Sequence, residues 1–207
     1  MISLPKINLP SGSSEVSTSF GFDMADNYAF YDRNHNPDIN PEYYQHIIST
    51  AQKIVIWDPF FMENVDGALF ESVKKNDVEI EILTVCKPTQ DVQSVNSLRD
   101  NIKNALRKVG ITNFTGFIYA FKNYKVKDGN NKRLFQCHDR FLLIDDDVAY
   151  LVGASMNNQQ SSEWNFGIMK MKKNDNQDVY NLIVDKYNSL KSKFLPNING
   201  WKTTLRP

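Results

Sequence analysis

The chain has 207 residues, 41% hydrophobic and 12% aromatic, which is enough to bury one sizeable core. Its 24 basic and 24 acidic residues cancel, so no global field marks it as a nucleic-acid binder, and any such case rests on a local patch. No run approaches the ~20 apolar residues of a membrane span. Met1-Ile2-Ser3-Leu4-Pro5-Lys6 opens no apolar core of signal-peptide length, so the expected setting is cytoplasmic.

Residues 1–40 read as a partly irregular arm. Ser11-Gly12-Ser13-Ser14 is turn-rich, yet Phe20-Gly21-Phe22 and Tyr28-Ala29-Phe30-Tyr31 carry too many aromatics for disorder alone. The arm is expected to pack on the domain or on a partner subunit. His35 sits in a turn-like Asn34-His35-Asn36-Pro37 and reads as an exposed loop histidine. Asn40-Pro41-Glu42 opens a helix with Asn as cap and Pro at the first position, running to about Gln52. His46 reads as a surface residue of that helix.

Lys53 to Trp57 reads as a short strand ended by Asp58-Pro59. Asp58 is a candidate substrate-binding residue, because ligands gather at strand ends in open α/β sheets. The competing reading is a turn Asp that caps its own backbone. The pattern predicts a helix from Asn64 to Lys75, with Val65, Leu69, Phe70 and Val73 inward. It then predicts a strand from Val78 to Val85, an amphipathic helix from Asp91 to Val109 and a strand from Phe114 to Phe121. Cys86 and Cys137 form no CxxC or zinc pattern and read as buried free thiols.

Residues 122–133 hold five basic side chains and one acidic. Lys125, Lys127, Lys132 and Arg133 among them are candidates to grip a nucleic-acid backbone. The same charges also suit a solvated hairpin tip. Phe141 to Ile144 and Val148 to Val152 read as two strands joined at Asp145-Asp146-Asp147. A late strand from Trp164 to Met171 follows. The terminal helix, Asp175 to Phe194, has Val179, Leu182, Ile183, Tyr187 and Leu190 as its inward stripe. The tail to Pro207 is expected to be irregular. The domain proper spans 41–195, with 196–207 as the tail. The element order predicts an α/β sandwich with a mixed sheet flanked by helices.

The chemistry concentrates in Cys137-His138-Asp139-Arg140 through Asp145, followed by Gly153-Ala154-Ser155-Met156-Asn157. His138 and Arg140 lie two apart, so on a strand they share a face. An imidazole beside a fixed cation suits an anion, and the imidazole can attack phosphorus covalently. Ser155 and Asn157 can donate hydrogen bonds to phosphate oxygens.

These residues resemble the signature of the phospholipase D superfamily, His-x-Lys-(four residues)-Asp-(six residues)-Gly-Ser-x-Asn. Asp139, directly after His138, also resembles the bacterial single-motif nucleases of that family. The clear resemblance covers about residues 136 to 170. It implies a phospholipase D-like sandwich and a metal-independent phosphodiesterase without a cofactor. His138 would be the nucleophile, Arg140 and Asn157 the phosphate holders with Ser155 assisting, and Asp145 the support for an imidazole. Glu163 stands near the place of a family Glu. With one motif and no internal repeat, the second half-site would come from a homodimer partner. Three departures stand out: Arg140 replaces Lys, one residue is added before Gly153, and Ala154 interrupts Gly-Ser. They keep a second reading open, a weak or inactive module binding nucleic acid or an anionic lipid, possibly inside a larger assembly. Lipid phosphodiester hydrolysis is a third.

Overall fold

Alternating apolar runs and turn residues produce, in chain order, β1 (Phe22–Ala25), β2 (Tyr28–Tyr31), α1 (Glu42–Ile48), β3 (Lys53–Trp57) and β4 (Val78–Cys86). Then come α2 (Val92–Lys108), β5 (Phe114–Lys122), β6 (Arg140–Ile144), β7 (Val148–Val152), β8 (Phe166–Lys172), α3 (Gln177–Ser192) and β9 (Gly200–Leu205). The computed structural model describes residues 22–25, 28–31, 42–62, 67–122, 139–153 and 166–207, with backbone alone for 22–25, 28–31, 42–43 and 166.

The described strands form one sheet in the order β1-β2-β8-β7-β6-β3-β4-β5-β9. β3, β4 and β5 run parallel, and every other pairing is antiparallel. Side chains alternate across the strands, so each face buries its own set. Ile54, Ile56, Ile80, Ile82 and Leu142 pack under α1 and α2. Val55, Trp57, Leu83, Tyr119, Phe121 and Leu143 pack under α3. The result is the expected α/β sandwich with a mixed sheet. α2 starts at a capping box, with Asp91 accepting from the Ser94 N–H and the Ser94 side chain reaching back to the Asp91 backbone. Among the described residues no helix is long and apolar enough to cross a membrane.

Three expectations change. The helix expected from Asn64 to Lys75 is, in its described part, a 3-10 helix at Ala68–Ser72 that ends in extended Val73. Gly67 lies against α2 so closely that a Cβ there would sit 2.6 Å from the Asn101 carbonyl oxygen. That approach fixes a tight turn at the start of the segment. Phe70 and Val73 are buried as expected.

The α3 stripe is rotated. Tyr180, Ile183 and Tyr187 face inward, while Val179 and Leu182 are exposed. Two tyrosines bury more apolar area than a valine and a leucine. The Tyr187 hydroxyl also donates to Glu81 Oε2 at 2.7 Å, and Lys191 Nζ meets Glu81 Oε1 at 2.6 Å. Glu81 is thus a buried carboxylate with both oxygens engaged. Burial and the adjacent Glu81 charge push the Tyr187 hydroxyl well above the ordinary tyrosine range.

The tail expected to be irregular carries β9, which pairs with β5 from Gly116↔Leu205 to Phe121↔Gly200. Part of the N-terminal arm likewise joins the sheet, because β2 pairs with β8.

The β6–β7 turn holds Asp145 at φ +54° and Asp146 at φ +57°, a left-handed pair that Asp tolerates better than most residues. Asp145 Oδ1 accepts from the Gln52 and Lys53 N–H groups, both at 2.8 Å. It therefore ties the hairpin to the entrance of β3. Asp145→Ala should lower stability by about 2 kcal/mol, combining two lost hydrogen bonds with strain at a positive φ. Thermal unfolding measures this, and Asp145→Asn, which keeps an acceptor and tolerates the turn, should recover most of the loss.

Candidate functional site

The carboxyl ends of the parallel strands β3 and β4 meet the start of antiparallel β6 at one rim of the sheet. The register Trp57↔Phe141 brings Asp58, just past β3, beside Arg140, the first residue of β6. Both continue the α1/α2 side of the sheet, below the apolar residues Ile54, Ile56 and Leu142.

Asp58 has no solvent exposure. Arg140 Nε approaches Asp58 Oδ1 at 3.6 Å, an ion-pair distance slightly longer than a hydrogen bond. Arg140 Nη1 donates to the Gly153 carbonyl at 3.3 Å. The Phe60 ring lies with its centroid 5.0 Å from the guanidinium carbon, within cation–π range. The Phe60 N–H donates to Asp58 Oδ1 at 2.9 Å. A buried carboxylate is costly without such partners, so the Phe60 N–H and the nearby guanidinium offset the burial of Asp58.

Asp58 was expected to touch substrate. The structure gives it no surface, and its turn-capping contact with Phe60 coexists with the pairing to Arg140. Asp145, expected in the same site, lies at the other end of β6, five residues or about 16 Å of strand from Arg140. Its carboxylate is engaged by the Gln52 and Lys53 N–H groups. The structure therefore brings Arg140 and Asp58 together and leaves Asp145 apart. His138, Ser155, Asn157, Glu163, Lys125, Lys127, Lys132 and Arg133 lie outside the described residues, as do Cys137 and His35.

Phe60 is a contributor that the sequence pattern does not mark, and Gly153, which it marks only as part of the motif's turn, contributes its backbone carbonyl. Asp58-Pro59-Phe60 reads first as a strand terminator, and the stacking becomes visible only when Arg140 is in place. Two described groups stay outside the chemistry. His46 is exposed on α1. Cys86 is a buried free thiol on β4. Burial, with a smaller push from the Asp91 charge, raises it to about 12, so it stays protonated at neutral pH and is a poor nucleophile.

The Arg140 guanidinium thus sits at the rim of a mixed sheet between a buried carboxylate and the Gly153 carbonyl. The solved structure of NucT from Helicobacter pylori superposes with a TM-score of 0.51 at 15% identity, over 74% of this chain and 88% of that one. The chain has a phospholipase D-like fold. Nuc from Salmonella typhimurium, a phospholipase D family member, is similar at TM-score 0.49 and 12% identity, over 87% of this chain and 97% of that one. Polyphosphate kinase from Porphyromonas gingivalis matches at TM-score 0.50 and 11% identity, over 83% of this chain but 27% of its own length. No family model and no curated protein matches the sequence. In this phospholipase D-like frame, Arg140 is the first residue of β6.

Proposed function

We propose that the chain is a metal-independent phosphodiesterase, a nuclease that works through a phosphohistidine as a homodimer. The observation that carries this reading is the held Arg140 at the sheet rim, two residues after His138. In the His-x-Arg signature only one residue separates the proposed nucleophile from the cation.

In the proposed reaction an imidazole nitrogen of His138 attacks phosphorus. The bond from phosphorus to the leaving oxygen breaks, and the partner subunit's His138 supplies that oxygen with a proton. Water then attacks the phosphohistidine, gives its proton back to the partner's His138, and releases the phosphate end. Arg140 and Asn157 hold the nonbridging oxygens with Ser155 assisting, which favours the more negative transition state. Lys125, Lys127, Lys132 and Arg133 grip the nucleic-acid backbone, with Glu163 as a further substrate-binding residue.

A second reading has its own observation. The Asp58 carboxylate offsets the Arg140 charge, so the cation attracts an anion less strongly than an unpaired lysine does. This favours a module that binds nucleic acid with little turnover.

The deciding experiment incubates the purified chain with labelled single- and double-stranded DNA and RNA in EDTA, with its size measured on a calibrated column. The proposal expects cleavage in EDTA by a dimer. Cleavage that EDTA abolishes overturns the mechanism. Tight nucleic-acid binding without cleavage selects the second reading. Headgroup release from phospholipid vesicles with nucleic acid left intact moves the substrate to lipid.

A further inference from the structure

Arg140 stands where the phospholipase D signature carries lysine, and its surroundings suit a planar fork more than a point charge. Asp58 Oδ1 lies on the side of the buried Nε at ion-pair distance without a hydrogen bond, the Gly153 carbonyl accepts from Nη1, and the Phe60 ring lies within cation–π range of the guanidinium carbon. Asp58 and Phe60 act as one unit, because the Phe60 N–H donates to Asp58 Oδ1. That unit is tied to β4 twice, by the Asp58 N–H to the Leu83 carbonyl at 3.1 Å and by the Val85 N–H to the Pro59 carbonyl at 3.3 Å. Gln90 fixes the next turn, with Nε2 donating to the Met62 carbonyl and Oε1 accepting from the Lys87 N–H. Asp58 is fully buried, so whatever it does to a ligand it does through Arg140.

We propose that Asp58 and Phe60 are positioning residues that aim the Arg140 fork at a substrate phosphate, and that this rim is built for arginine in place of lysine. The inference rests on the phosphodiester reading above for its ligand class.

Two effects of Asp58 oppose each other. Its charge weakens the pull of Arg140 on any anion. Its contact restrains a long, flexible side chain, so less freedom is lost when a phosphate binds. If aiming dominates, removing the Asp58 charge weakens phosphate binding. If attenuation dominates, removal strengthens it. A lysine has no plane to aim, so with lysine at 140 only attenuation remains.

The test titrates inorganic phosphate into the full chain by calorimetry and follows the Arg140 Nε–H signal by NMR. Phosphate binding by the wild type is expected. Asp58→Asn and Phe60→Leu should each weaken it about tenfold, the scale on which outer partners of a ligating group act. Arg140→Lys should weaken it as well, although it restores the signature. In the Arg140→Lys background, Asp58→Asn should cause no further loss. The Nε–H signal, slow to exchange in the wild type, should exchange fast in Asp58→Asn.

Stronger phosphate binding by folded Asp58→Asn overturns the proposal, as does wild-type affinity in Arg140→Lys. Thermal melts report whether each variant folds. If Asp58→Asn does not fold, Phe60→Leu decides, and unchanged affinity there overturns the proposal. A wild type that binds phosphate but cleaves no nucleic acid keeps this inference and removes only the nuclease reading. A wild type that binds no phosphate overturns both.

Discussion

Gly116→Ala should abolish cooperative folding. Gly116 lies in the middle of β5, paired with Ile80 of β4 and Leu205 of β9. Its φ is +152°, and a Cβ at this position would be driven into the Ile80 carbonyl oxygen. That oxygen is backbone, and β4 is held between β3 and β5 with Ile80 fully buried. Neither strand can yield without breaking its ladder, which is why glycine marks such close approaches. The expected cost exceeds about 4 kcal/mol, a large share of the 5–15 kcal/mol that holds a domain together. Gly110→Ala is the comparison. Its φ is +82°, yet nothing lies within 4 Å of the added methyl. Only backbone strain is paid there, roughly 1–2 kcal/mol. Circular dichroism melts should show a clear transition for Gly110→Ala and none for Gly116→Ala. Similar melts for the two would mean that β4 can move away from β5.

The second large effect falls on activity. Under the proposed mechanism, His138→Ala should reduce cleavage at least about 10⁴-fold, the scale seen when a nucleophile is removed. Among the described residues, Asp58 beside Arg140 is fully buried and offers no substitute nucleophile. Affinity for uncleaved oligonucleotide should survive, since backbone contacts and Arg140 remain. His46→Ala, on the exposed face of α1, should leave cleavage unchanged. Initial rates on a labelled oligonucleotide measure all three chains. A His138→Ala variant that retains wild-type rate would remove the phosphohistidine from the mechanism.

The core of the fold is legible in the sequence because its strands are short, apolar and bounded by turn residues. β3 was expected from Lys53 to Trp57 and is found there, and α2 begins one residue after Asp91, which serves as its cap. The hairpin of β6 and β7 is equally plain. What the pattern misses depends on contacts from elsewhere. β9 is an edge strand with alternating exposure, so only Trp201, Thr203 and Leu205 on one face betray it. The rotation of α3 is set by Glu81, a residue of β4 more than ninety positions upstream, and helical periodicity alone does not carry that. At the site, the His-x-Arg spacing draws attention to Arg140, which the structure places at the rim of the sheet beside Asp58. The pairing of Asp58 with Arg140 is a register effect between antiparallel strands. The placement of Asp145 shows the converse. Five residues of strand carry it away from Arg140, whatever the motif groups together.

β9 also shapes how the protein is made. β5 ends at Lys122, and the strand that covers its outer edge starts at Gly200. At ~5–20 residues per second, a ribosome needs on the order of ten seconds to supply that cover. During this interval nine residues of β5, aromatic at Phe114, Phe117, Tyr119 and Phe121, present an open ladder to any neighbouring nascent chain. β9 thus closes a window of aggregation, and the yield of folded protein depends on how fast the chain beyond α3 reaches the sheet.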